Sequence, residues 1–355
     1  MLKITIEILS SPAYSFFNSS VHFKLEKTCV LNEQGKIVHE GSEKTDPDLL
    51  ADYFSKRDFQ EIVVGFESGC LSHYLVTGFR KRAIDPLCMD ARKLSTILAL
   101  KINKTDKNDA RGIAEALRSG MYTRVHCKPQ DSVEKSILLV SRRALIKQQT
   151  QLKNTVRGLL KSYGIRLGSV GSKRFSSVVV KQIEKQEKSI VLSITSLLNT
   201  FDKVVEEVEK LDKEMLKLVS QDKEVQRLMT IPGVGPVTAL TYKTEIFDPT
   251  RFNDSKSVGA YLGMTPKQYA SGEVQRQGRI SKCGSSELRS LLVEAGIVML
   301  TRSKKWSKLK AWGLKIMRKK GMKKAALAVG RKLSVIMHKM LIEQKEFIYG
   351  EPKAA

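Results

Sequence analysis

The sequence predicts an α/β domain followed by a mostly helical remainder, and three observations carry that reading. Up to about residue 130, strand-like runs alternate with helical ones, the pattern of a mixed sheet covered by helices. From 131 to about 160 and from 188 to 218, apolar residues recur at helical spacing. Beyond residue 225, glycine turns and helices alternate, and 295–342 contains no Asp or Glu at all.

In the first domain, runs 21–31 and 36–40 read as strands joined by the turn Asn32-Glu33-Gln34-Gly35. Pro47 suits the first turn of a helix reaching Phe54. Run 61–67 is a buried strand ending in Glu67, and Ser68-Gly69 turns the chain into a helix through Leu71, Leu75 and Phe79. Run 84–89 is a further short strand. Thr105 is a plausible N-cap for a helix that Gly120 closes. Asp106 and Asp109 open that helix three residues apart, hence on one face. With Lys104, Lys107 and Arg111 around them, they read either as a solvated helix start or as a carboxylate pair holding a hard cation that faces a phosphate. Glu67, at the carboxyl end of a strand beside a glycine, is a third candidate ligand.

The next stretch is a spacer. Helix 131–160 alternates apolar positions with Arg142, Arg143, Lys147, Lys153 and Arg157. Gly164, Gly168 and Gly171 break it, and a second long helix starts at Lys188 with a seam from Ile190 to Leu218 spaced by threes and fours. That stripe must be covered, by helix 131–160, by a second copy of the chain, or by both; intramolecular packing plus dimerisation is expected. Pro232-Gly233-Val234-Gly235-Pro236 then reads as a hairpin between two helices. Gly233 and Gly235 would let backbone N–H groups approach a phosphate.

Ser271 follows in a glycine-flanked polar loop, with Arg276, Arg279 and Lys282 after it. A nucleophile beside cations suits attack on a phosphodiester, although such a serine is also an ordinary turn residue. The acid-free end carries Lys319, Lys320, Lys323 and Lys324 among many cations, a one-sign run that points to phosphate. Its two tryptophans, Trp306 and Trp312, could stack on bases or anchor the helices in the core, and the core reading is preferred.

Composition agrees. A net charge of +25 over 355 residues implies a polyanionic partner, nucleic acid rather than membrane. No apolar run is long enough to span a bilayer, and the N-terminal residues lack the order of a secretory signal, so the cytoplasm is expected. The 5 cysteines are scattered and contain no C-x-x-C, and the 5 histidines are unclustered, so any metal is expected to be oxygen-ligated.

In order, Gly65-Phe66-Glu67-Ser68-Gly69, residues Asn103 to Ala110, Pro232 to Pro236 and Ala270-Ser271-Gly272 with Arg276 to Gly284 resemble the insertion sequence 110 family of transposases, from about 20 to 341. The resemblance implies a RuvC-like N-terminal domain and a C-terminal domain that carries the serine; the residue patterns add an RNase-H-like mixed sheet, a long coiled-coil spacer and a mostly helical C-terminal domain with a helix-hairpin-helix element. The expected boundaries are 1–19 (atypical), 20–130, 131–224, 225–345 and a tail to 355. The resemblance also implies DNA cleavage and strand exchange by Ser271, aided by Mg²⁺ (or Mn²⁺) on Glu67, Asp106 and Asp109. The implied partners are DNA and, as for some members of the family, a structured guide RNA; a homodimer or larger homo-oligomer is expected from the stripe of the long helix. The departure lies at the first acid of the family's set of four. Ser20-Val21 stands where the family carries Asp-Val, and 1–19 looks foreign to the pattern. Glu7, on the strand-like Lys3-Ile4-Thr5-Ile6-Glu7-Ile8, is a possible replacement. A water-using RuvC-like nuclease and a catalytically decayed nucleic-acid-binding copy are the alternatives.

Overall fold

The computed structural model describes residues 2–6, 25–57, 59, 62–99, 103, 105–271 and 274–350; at 2–6, 25, 270, 274 and 275 it describes the backbone alone. The chain divides into two compact units, Met1–Lys128 and Pro129–Ala355. Glu7, Ser20 and Lys104 lie outside the described residues.

The first unit is a mixed sheet with helices on both faces. Its elements are β1 (Leu2–Ile6), β2 (Leu25–Leu31), β3 (Ile37–Lys44), α1 (Pro47–Ser55), β4 (Ile62–Glu67), α2 (Ser72–Lys81), β5 (Leu87–Met89), α3 (Ala91–Leu98) and α4 (Asp106–Ser119). The strand order is β3-β2-β1-β4-β5. β1 is antiparallel to β2 and parallel to β4, so this N-terminal strand lies at the centre of the sheet. Set apart from the domain by its sequence, it is nonetheless integral to the fold.

Because strand side chains alternate between faces, β4 divides its residues between two cores. Val64 and Phe66 pack with Leu50, Phe54, Leu75 and Phe79 of α1 and α2. Val63 packs on the opposite face with Met89, Leu94, Ile113 and Leu117 of β5, α3 and α4. Gly65 shares that second face, where a Cβ would lie 2.9 Å from a Leu117 methyl.

The second unit holds α5 (Gln130–Ser162), α6 (Ser172–Ile183), α7 (Lys188–Gln221), α8 (Lys223–Leu228), α9 (Pro236–Ile246), α10 (Ser257–Tyr261), the hairpin β6 (Pro266–Ser271) and β7 (Val274–Ile280), then α11 (Ser286–Thr301), α12 (Lys308–Lys320) and α13 (Met322–Glu343). α5 and α7 run antiparallel. Leu139 shares a core with Met215 and Val219 at one end, and Val156 and Leu160 meet Ile194, Leu198 and Phe201 at the other. The apolar seam of α7 is therefore covered from within the chain. α6, hidden in the sequence behind three glycines, completes the far end with Phe175, Val179 and Ile183. The core that contains Leu139 and Val219 continues into Leu240, Leu292 and Leu333, so the near end of the long helices and the C-terminal helices share one interior. No helix among the described residues is long and apolar enough to cross a membrane.

Candidate active site and nucleic-acid interface

Thr105 caps α4, its side chain accepting from the Asn108 N–H, and Gly120 ends the helix at φ 74°. The cap holds Asp106 and Asp109 in the first turn, where the helix dipole favours negative charge. Asp109 is buried at 7% exposure, while Asp106 is exposed.

Strand register shows which edge of the sheet this turn occupies. Leu117, late in α4, lies over Gly65, whereas Ala110 lines a small cavity with Lys27 and Thr28. Thr28 pairs with Ile6, and Ile6 pairs with Phe66. The start of α4 thus lies at the carboxyl edge of β1 and β4, where Glu67 is the last residue of β4. Glu67 shares the face of Gly65, two residues before it, and that is the face α4 covers. Glu67 and Asp109 therefore belong to one face and one edge of the sheet. Among the described residues, however, no group of three His, Cys, Asp or Glu side chains is gathered closely enough to hold a metal ion. The donors are hard oxygens, the kind a hard divalent ion takes.

Lys107 and Arg111, expected to frame the carboxylates for a phosphate, bind Glu40 instead. Arg111 Nε and Nη2 reach its oxygens at 2.5 and 2.9 Å, and Lys107 Nζ at 3.1 Å. The Arg111 hydrogen bond holds the Glu40 carboxyl down at about 2. Glu40 was silent in the sequence because its partner lies on a helix far along the chain. Its effect is to clamp the first turns of α4 onto β3.

In the second unit, α8 and α9 flank the glycine turn. Asp222 caps α8 by accepting from the Glu224 and Val225 amides, and it binds Lys243 of α9 at 2.6 Å. Burial alone would lower the Lys243 pKa, but Asp222 and Glu224 outweigh it and the net shift is upward. The two glycines of the turn differ. Gly233, at φ 90°, has the Ala295 carbonyl oxygen 2.5 Å from where a Cβ would stand, so its missing side chain admits α11. Gly235, the N-cap of α9, faces open space. Backbone approach to an anion is available at Gly235; Gly233 is spent on packing.

Ser271 lies in a strand rather than a loop. It is the exposed last residue of β6, opposite Val274, while residues 272 and 273 are outside the described set. Both faces of this hairpin are polar, so the sequence shows no apolar alternation that would mark a strand. Tyr269 shares the face of Ser271 and pairs with Arg276. Arg279 lies beyond a register irregularity and Lys282 beyond the end of β7, so Arg276 is the cation of the three that register brings nearest to Ser271. The hairpin base is held by Ser281 N–H to the Thr265 carbonyl at 2.9 Å and Lys282 N–H to the Gly263 carbonyl at 3.0 Å. Lys282 adopts φ 57°, a left-handed conformation costly for a side chain.

Lys319, Lys320, Lys323 and Lys324 are exposed at the junction of α12 and α13. Trp312 packs against the core as expected, but Trp306 is half exposed. Its neighbours after Arg302 are mostly charged, and it meets Lys310 at 6.0 Å rather than an apolar interior.

The model for the transposase IS116/IS110/IS902 family matches residues 225–311, and a second transposase model, of the DEDD type of insertion sequence 110, matches 22–165. The transposase for insertion sequence element IS1111A of Coxiella burnetii is 31% identical over 71% of this chain and 70% of its own length. The chain belongs to the IS116/IS110/IS902 family of transposases. The transposase for insertion sequence element IS1328 of Yersinia enterocolitica is 30% identical over 57% of this chain and 61% of its own length. A pilin gene-inverting protein of Moraxella bovis is 29% identical over 48% and 54%. The family's DEDD-type domain is one that suggests dependence on a divalent metal, in keeping with the acids at the α4 edge of the sheet.

Proposed function

We propose that this transposase cuts and rejoins the DNA of an insertion sequence with Ser271 as nucleophile. The observation that supports it best is Ser271 itself, exposed at the end of β6 with Arg276 on its face, inside the segment that the family model covers. Ser271 Oγ forms a bond to phosphorus, and the bond from that phosphorus to the departing strand's oxygen breaks. The serine gives up a proton and the leaving oxygen gains one. Arg276 offsets charge that develops on the phosphoryl oxygens. Glu67, Asp106 and Asp109 would hold a divalent ion, Mg²⁺ (or Mn²⁺), whose Lewis acidity polarises a scissile phosphate. Trapping a covalent protein–DNA adduct tests the serine: the adduct forms with the wild-type chain and disappears in Ser271→Ala. Cleavage that persists in Ser271→Ala without an adduct would instead establish hydrolysis by water.

The first carboxylate of the set is open. β1 is Leu2–Ile6, and the residue that follows it in sequence is Glu7 rather than Ser20. That order supports Glu7 as the missing acid. Loss of cleavage in Glu7→Gln supports the assignment; rescue of an inactive wild type by Ser20→Asp opposes it. The second reading, a decayed copy that only binds nucleic acid, is favoured by Ser20, which stands where the family carries its first Asp. Metal-dependent strand exchange by the unaltered protein excludes it.

A guide RNA fits the kind of contacts the chain offers. A backbone approach at Gly235 and lysines at 319, 320, 323 and 324 recognise phosphate, not base sequence. Specific binding of RNA transcribed from DNA flanking the gene, over a scrambled RNA of equal length, is the expected result. Ile137 and Val140, exposed at 61% and 57% on one face of α5, support contact with a second copy.

A further inference from the structure

A cavity of about 1090 Å³ opens between the α12–α13 pair and the base of the Ser271 hairpin. It exceeds the usual size of a site for one small molecule. Every charged residue that lines it is basic, from Lys256 just before α10 to Lys319, Lys320 and Lys324 at the helix junction and Arg331 on α13. None of these forms an ion pair with a described carboxylate. The floor is of another character: Met264, Ile316, Leu327, Ala328 and Val335 are apolar, and Trp312 stands at its side with Lys332 Nζ 5.1 Å from its ring.

A cationic rim around an apolar, aromatic floor discriminates between forms of nucleic acid. A duplex presents phosphates outward and keeps its bases stacked, so it can use the rim and not the floor. An unpaired strand presents both, phosphates to the rim and base faces to Trp312 and the aliphatic side chains. The hairpin adds position. Pro266 and Ile280, paired at the base of β6 and β7, line the same cavity, and Ser271 lies five residues along β6, about 17 Å at strand rise.

We propose that this groove holds unpaired nucleotides, bases on the apolar floor and phosphates on the basic rim, within reach of the hairpin that carries Ser271. The proposal rests on the reading of the chain as a nucleic-acid-binding protein and not on the chemistry of Ser271.

The test uses the full chain with fluorescein-labelled oligothymidylate, compared at one salt concentration with a duplex hairpin of equal phosphate number. The single strand should bind about tenfold tighter than the duplex. Ala328→Glu places a carboxylate on the floor and should weaken the single strand about tenfold while leaving the duplex within about twofold. Ala328→Gln, of the same size as Glu but uncharged, should weaken the single strand less than Ala328→Glu does, and Lys319→Gln with Lys320→Gln should weaken both forms. A strand bearing 5-iodouracil should photocrosslink to the peptide that contains Trp312. Single-strand affinity unchanged in Ala328→Glu, no crosslink to that peptide, or a changed oligomeric state in place of the lost affinity would overturn the groove assignment. Failure of the wild-type chain to bind either nucleic acid would overturn the reading beneath it.

Discussion

Asp109 sits in the first turn of a helix packed against β1, β2 and β4, whereas Ser271 ends an exposed strand in a sheet of two. The acids are held by a buried scaffold with cores on both faces. The serine depends on a few backbone hydrogen bonds at the foot of its hairpin, since two strands alone are marginally stable in water. Substitutions near the acids should therefore act through the stability of a whole layer. Substitutions near the serine should act through its position, with little change in global stability.

The largest expected effect is in the first unit. Phe66→Ala empties a fully buried position between α1, α2 and the sheet and should cost about 3–5 kcal/mol in urea unfolding. Ser271→Ala, on an exposed strand end, should stay within about 0.5 kcal/mol of wild type. Equal losses would end the distinction between the two regions.

Next is Gly263→Ala. This glycine has φ 65°, and a Cβ would stand 2.2 Å from the backbone nitrogen of Cys283. Both effects oppose the substitution, and a loss of about 2 kcal/mol or more is expected. If the hairpin foot positions Ser271, adduct formation should fall further than the unfolded fraction accounts for.

Thr105→Ala removes the cap of α4 and should cost about 1 kcal/mol. Faster amide exchange confined to the first turn of α4 would show that the cap orders Asp106 and Asp109; uniform exchange through the domain would show that it does not.

The smallest effect is the clamp by Glu40. Its folded pKa is depressed to about 2 from 4.5, so the stability it contributes is present above the unfolded value and is lost as pH falls through about 2. A partly exposed pair of this kind is worth about 1 kcal/mol at most. The stability difference between wild type and Glu40→Gln should be flat from about pH 6 upward and shrink between 4.5 and 2. A difference that grows on acidification would contradict the assignment.

Local rules accounted for α4, whose cap, apolar spacing and closing glycine are all contiguous in the chain. They also located β4, α9 and the long helices α5 and α7. They missed α3, which joins its core through Leu94, and α6, whose Phe175, Val179 and Ile183 follow three glycines. The Ser271 hairpin was unreadable as strand because neither face is buried, so nothing in its pattern has period two.

By itself, the sequence determined the order of elements, the basic end and the family signature, because each depends on neighbours in the chain. Tertiary structure decided that Leu2–Ile6 is the central strand, that Glu67 and Asp109 share an edge, and that Arg111 serves Glu40. It also decided that Gly233 admits a helix while Gly235 stays open, and that the lysines of α12 and α13 surround an apolar floor. Those outcomes depend on strand register and on which helix packs where, and such contacts join residues tens of positions apart whose spacing leaves no trace in the chain.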